Sequence, residues 1–203
     1  MLNFDQAQRV LRDQGIACET VVVTDDIFSA PAGELHKRRG IAGDLVVFKC
    51  ASAAAELGRD LAAVAAVAAK ANHRTRSFGV AFTGCTLPGA SEPLFTVPEG
   101  RMAVGLGIHG EPGIDEVAIP TADGLAELFV SRLLAEAPDA AGDRVAVILN
   151  GLGATKYEEL FVVYRRVAQL LGEAGLTVVD PEVGELCTSF DMAGASLTVC
   201  WLD

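Results

Sequence analysis

The segment Gly105-Leu106-Gly107-Ile108-His109-Gly110-Glu111-Pro112-Gly113 sets one histidine and one glutamate among four glycines. Glycine lets a backbone approach a ligand closely or take a positive φ. A neutral imidazole serves as a base or a nucleophile near neutral pH. The segment directly follows the apolar run Met102 to Leu106. Open α/β sheets bind ligands at that position, outside the carboxyl end of a strand. Two readings stay open: His109 works on a ligand, or it satisfies backbone groups in a structural turn. A dinucleotide fingerprint is excluded, because a histidine interrupts the glycines and no helix opens at once.

Two further loops carry candidate residues. Asn150-Gly151-Leu152-Gly153-Ala154-Thr155 lies between a strand pattern and a helix pattern. Thr155 is the expected N-cap, with Glu158 completing a capping-box spacing. The helix terminus could bind an anion, but a well-capped helix is the preferred reading of the segment, and Walker A spacing is absent. In Thr188-Ser189-Phe190-Asp191-Met192-Ala193-Gly194, Asp191 could bind a ligand or hydrogen-bond its own turn. His36 and His73 have no partner at catalytic spacing. The five cysteines are odd in number and form no CxxC pair, which excludes a metal knuckle and points to reduced, buried thiols.

The elements that must position these loops follow from periodicity. A helix is expected over 4–14, a strand over Thr20 to Thr24 ending at Asp25-Asp26, and a loop over 27–41. Lys37-Arg38-Arg39 within it reads as a solvated turn. Two Ala-rich helices fill 43–71, and a buried strand runs from Phe78 to Phe82. Beyond the Pro-rich stretch 88–100, strands at Met102–Leu106, Val145–Leu149, Leu176–Val179, Leu186–Ser189 and Leu197–Leu202 alternate with helices at 122–135, capped by Thr121, and 156–171. The fold class is α/β: layered, mostly parallel sheets flanked by helices, with mixed strands near the C-terminus. The proline-rich stretch divides 1–92, the remainder of a first α/β subdomain, from 93–203, a second one carrying the histidine loop.

Composition narrows the function classes. The chain has 203 residues, 51% hydrophobic and 21% charged, with a formal net charge of −11. A nucleic-acid surface needs a basic field, so none is expected. No apolar run reaches the roughly 18 residues that cross a membrane, and no leader is visible, so a cytoplasmic protein is expected.

Taken in order, these blocks resemble the dihydroxyacetone-binding K subunit of the dihydroxyacetone kinases. The strongest is GLGIHGEPGI, Gly105 to Ile114; Leu2-Asn3-Phe4, Arg38 to Gly43, Cys85-Thr86-Leu87-Pro88, Asn150 to Thr155 and Thr188 to Gly194 support it. The resemblance implies that His109 bonds to the carbonyl carbon of dihydroxyacetone as a hemiaminal, with Gly107, Gly110 and Glu111 as substrate-binding residues. It implies no metal and no tightly held cofactor in this chain. The phosphoryl donor would be ATP or a nucleotide-carrying partner subunit, and the assembly a homodimer. The family's upstream GGGSGHEP segment and the aspartate of its GDxxNF-like motif have no counterpart, so a chain lacking the first third of a full subunit, inactive alone, is expected. Two alternatives accompany this reading: a non-catalytic ketone-binding regulator, and a kinase-family chain for a four-carbon ketose such as erythrulose.

Overall fold

A computed structural model describes residues 2–108, 111, 113, 115–139 and 141–203. A six-stranded sheet organises the chain. Its strands are β1 (Thr75–Ala81), β2 (Arg101–Val104), β3 (Asp115–Ala118), β4 (Arg144–Gly151), β5 (Thr177–Gly184) and β6 (Gly194–Trp201), in the order β3-β2-β1-β6-β4-β5. The helices are α1 (Leu2–Asp13), α2 (Asp44–Glu56), α3 (Leu61–Arg74), α4 (Ala122–Leu134) and α5 (Tyr157–Glu173).

Strand alternation builds three layers. On β6, Ala195, Leu197, Val199 and Trp201 join Phe78, Val80, Val145, Val147 and Leu149 in the main core under α4 and α5. The alternate residues Ile148 and Cys200 point the other way and pack on Val46 of α2. Leu160, Val163, Val167 and Leu171 of α5 recur at helical spacing on its buried face. Asp60 starts α3 by accepting from Ala63 N, and Thr121 starts α4 by accepting from Gly124 N, as its sequence leads one to expect.

The α/β layering stands, but the expected strand directions do not. Among the strands of the described residues, β4 and β5 pair in parallel, across the crossover helix α5, and the other four strand pairings are antiparallel. Strands buried on both faces read as continuous apolar runs, the pattern of parallel sheets, and periodicity carries no direction. β6 runs back between β1 and β4, antiparallel to both. This single sheet crosses the 92/93 division, since β1 lies before it and both strands that flank β1 lie after it.

Several boundaries also differ. Thr20 to Thr24 joins no strand ladder; one bridge, Asp26 with Ser77, follows it. β3 was not anticipated: its alternation is short and its residues are largely exposed. Leu186 to Ser189 is a turn instead of a strand, because the Asn150 carboxamide oxygen takes the Leu186 and Cys187 N–H groups at 2.8 Å each. β5 is longer than expected and contains Pro181, which its edge position tolerates. The 27–41 stretch contains a short 3-10 helix, Ala32–Lys37. No helix among the described residues is long and apolar enough to cross a membrane.

Candidate functional site

β2 stops at Val104, and Gly105 turns the chain with φ +72°. Its N–H donates to Gly79 O at 2.9 Å, so the loop leaves from the edge of β1. A Cβ at Gly105 would sit 2.8 Å from the Cβ of Phe28, so only glycine lets Phe28 pack there. Farther along, Gly107 N donates to Glu111 O at 3.1 Å. Gly107 also faces the Glu111 carboxylate and the Arg39 guanidinium, whose Cζ would lie 3.0 Å from a Cβ there. Gly107 and Glu111 are thus brought together in one loop. His109 and Gly110 lie outside the described residues.

The three loops singled out in the sequence converge. The Ser189 hydroxyl donates to Ile108 O, and its N–H donates to Leu152 O at 2.6 Å. Ala154 N donates to Met192 O at 3.0 Å. Beneath them lies a small apolar nucleus of Ala81, Cys85, Ala103, Leu106, Leu152 and Met192, with Ile108 packed against it. Asp191 does not simply close its own turn. Its Oδ1 accepts from Thr86 N at 2.6 Å, and that bond holds its carboxyl below the usual carboxylate range.

The capping expectation needs correction. Thr155 does not cap α5: its hydroxyl donates to Gly194 O at 2.7 Å and accepts from Gly194 N at 2.9 Å. The helix instead starts at Lys156, whose N–H donates to the Glu159 carboxylate at 3.0 Å. The threonine is recruited by a strand end from which it is separated by 39 positions, a contact no local pattern reveals.

Asp25, Asp26, Arg38 and Arg39 were missed as site-building residues. Arg38 is buried, not solvated: it forks onto both Glu136 oxygens at 3.0 Å. Asp25 is fully buried and accepts from Ile41 N at 2.9 Å and Gly43 N at 2.8 Å. Burial pushes its carboxyl above the usual range, against the pull of Ser77 and those two amides. Asp26 is also raised by burial, opposed mainly by the charge of Arg39. Arg39 donates through Nε to Asp26 Oδ2 at 2.6 Å and through Nη2 to Gly105 O at 2.7 Å. The residue pattern itself showed three consecutive basic residues, which ordinarily mark a wet surface, and the family-like block Arg38 to Gly43 carried no role for either arginine. Of the five cysteines, Cys85 and Cys200 are buried and the others half-buried; all are free thiols. Among the described residues, no group of three or more His, Cys, Asp or Glu is placed to hold a metal ion.

The Dak1 domain model matches residues 1–203. The chain belongs to that family. It is 68% identical to an L-erythrulose kinase of Pectobacterium atrosepticum and 63% identical to a D-erythrulose kinase of Mycolicibacterium smegmatis, in each case over 100% of this chain and 35% of the relative. The Dak1 chain therefore spans about a third of the length of those relatives. It is 45% identical to a dihydroxyacetone-binding subunit of a phosphotransferase-system-dependent dihydroxyacetone kinase of Listeria innocua, over 100% of this chain and 61% of that one. Among solved structures, a dihydroxyacetone kinase operon co-activator superposes with TM-score 0.88 at 33% identity, covering 98% of this chain and 61% of the other. The C. freundii dihydroxyacetone kinase superposes with TM-score 0.86 at 35% identity, covering 100% of this chain and 36% of the enzyme.

Proposed function

We propose that this Dak1 chain is the substrate-holding part of a short-ketose kinase, and that the ketose has four carbons, as in erythrulose. The observation that carries this is the order of identities: 68% and 63% to two erythrulose kinases, against 45% to a dihydroxyacetone-binding subunit, all over the whole chain. His109 holds the ketose. One imidazole nitrogen adds to the carbonyl carbon, a C–N bond forms as the C=O π bond breaks, and the oxygen takes the proton that leaves the other ring nitrogen. Polyols without a carbonyl are thereby rejected. Gly107, Gly110 and Glu111 line the bound ketose. A hydroxyl of the held ketose then receives a phosphoryl group from ATP, or from a nucleotide-carrying partner subunit, and gives up its proton to a base. The protein acts in the cytoplasm as a homodimer.

Two measurements on the full-length protein test this. Kinase assays with D-erythrulose, L-erythrulose and dihydroxyacetone should give at least a tenfold higher kcat/KM for one erythrulose enantiomer than for dihydroxyacetone; equal or reversed values return the three-carbon substrate. With ketose labelled with carbon-13 at the carbonyl, the bound resonance should move from the ketone to the tetrahedral range and vanish in His109→Ala. A bound ketone signal that keeps its trigonal shift rules out the covalent step. A second reading, a ketone-binding regulator, draws on the likeness to the operon co-activator. It predicts binding without turnover in the same assays.

A further inference from the structure

We infer that Arg39 and Ser189 are positioning residues, a two-sided clamp that sets the loop bearing His109, and this rests on the covalent reading above. Each grips a main-chain carbonyl of the loop. Arg39 Nη2 donates to Gly105 O at 2.7 Å, at the root of the loop, and the Ser189 hydroxyl donates to Ile108 O. The Ile108 carbonyl belongs to the peptide unit that continues into His109, so a donor on it restricts that unit's rotation. Gly105 and Gly107 have no side chains of their own to anchor the segment. Leu106 and Ile108 seat it on the apolar nucleus below, and Arg39 and Ser189 add polar holds on its carbonyls from positions 66 and 81 residues away in the chain.

Both gripping groups are themselves fixed. Arg39 is a charge-assisted donor held at 2.6 Å by Asp26 Oδ2, and the other Asp26 oxygen accepts from Phe28 N at 3.0 Å. The Arg39 side chain is three-quarters buried and the Asp26 side chain is 1% exposed, so water screens the pair weakly. The backbone of Asp25 and Ile27 is bonded to Ser77 of β1, beside the place where Gly105 bonds to Gly79. The aspartate thus references Arg39 to the sheet itself. Ser189 is 2% exposed, its own N–H spent on Leu152 O and its carbonyl accepting from the Cys85 thiol at 3.5 Å.

The clamp makes a demand that a purely structural role does not: its effect must pass through His109. Arg39→Ala and Ser189→Ala should each lower kcat/KM for the ketose about tenfold to a hundredfold, the scale on which a misplacement of about 1 Å acts. Ser189→Thr, which keeps the hydroxyl, should recover most of the loss, and Arg39→Lys, which can reach only one of two acceptors, only part of it. Thermal melts on every variant establish folding. The deciding measurement is ketose affinity, by calorimetry on the full-length protein, in a double-mutant cycle with His109→Ala. Residual affinity in His109→Ala should fall less than twofold when Arg39→Ala is added. Three results overturn the clamp: unchanged kcat/KM in both folded alanine variants, equal losses with and without His109, or loss only through unfolding, with Ser189→Thr and Arg39→Lys as active as the parent. If instead His109→Ala binds ketose as tightly as the parent, the covalent reading fails first, which is a separate outcome.

Discussion

Gly105–Gly113 and Asn150–Thr155 look alike as sequences, each a glycine-rich turn following an apolar strand, yet they are held in opposite ways. The second is laced by backbone: Leu152 and Ala154 donate to Gly194 O and Met192 O, and Leu152 O accepts from Ser189 N. Its Asn150 side chain satisfies four partners, the Leu186 and Cys187 amides, Cys187 O and Ser196 Oγ. The first is gripped by two remote side chains and by the backbone bond from Gly107 to Glu111. A backbone-laced loop is a rigid platform whose groups are spent on structure. A loop held by remote side chains is tuned by whatever holds those side chains. Identical glycine substitutions should therefore have unlike consequences in the two loops.

The largest effect is expected at Gly153. Its φ is +138°, and a methyl group there would run into the carbonyl of Phe190. Backbone cannot swing away as a side-chain tip can. Gly153→Ala should lose on the order of 3 kcal/mol, from strain and clash together. Urea denaturation reads this directly, and a loss below about 1 kcal/mol would mean that the platform yields and the contrast between the loops is false.

An intermediate effect is expected where the clamp is buttressed. Asp25 holds the 41–43 turn that follows Arg39, through the Ile41 and Gly43 amides. Asn has one acceptor oxygen, so Asp25→Asn leaves an amide facing an NH2 group. The cost should be about 1–3 kcal/mol. It should also change the pH dependence. The folded-state pKa of Asp25 is raised above its ordinary 3.8 by burial. Its contribution to stability is therefore full below that value and lost as pH rises through the raised one. Asp25→Asn should flatten that part of the stability–pH curve. An unchanged curve would move the titration to Asp26 or Asp44, which are raised by burial as well.

The smallest stability effect is expected at Gly107. A methyl group there meets the tip of the Glu111 side chain and the Arg39 guanidinium, both of which can move. Gly107→Ala should cost less than about 1 kcal/mol, within the usual range for a change that side chains absorb. If the displaced groups belong to the proposed site, the ketose KM should nonetheless rise severalfold. Unchanged KM would remove Gly107 and Glu111 from the substrate-binding set.

Much of this was legible in the sequence, for reasons that can be named. The Thr121 cap, the two Ala-rich helices and the apolar face of α5 are local patterns, and they appear where periodicity places them. The glycine loops were visible because glycine has few other reasons to cluster after a strand. What stayed hidden was non-local. Arg38 and Arg39 read as solvated because nothing nearby in the chain reveals Glu136 or Asp26 as partners. Thr155 read as a cap because Gly194 is far away in sequence. Strand direction was misjudged because burial on both faces looks the same in parallel and antiparallel strands.

One edge of β1 is shared by two segments: β2 covers Val80 and Ala81, and the stretch from Asp25 to Ile27 covers Ser77, with Arg39 joining them at Gly105. That sharing has a consequence for how the molecule folds. The α2–α3 hairpin and the β4–α5–β5 unit are each made of neighbours in sequence, so their loops close early and at small entropic cost. The shared edge gathers residues 25, 39, 77 and 105, and it can close only after distant segments meet. The root of the glycine loop at Gly105 is therefore set only after those local units have formed, once residues 25, 39, 77 and 105 have met.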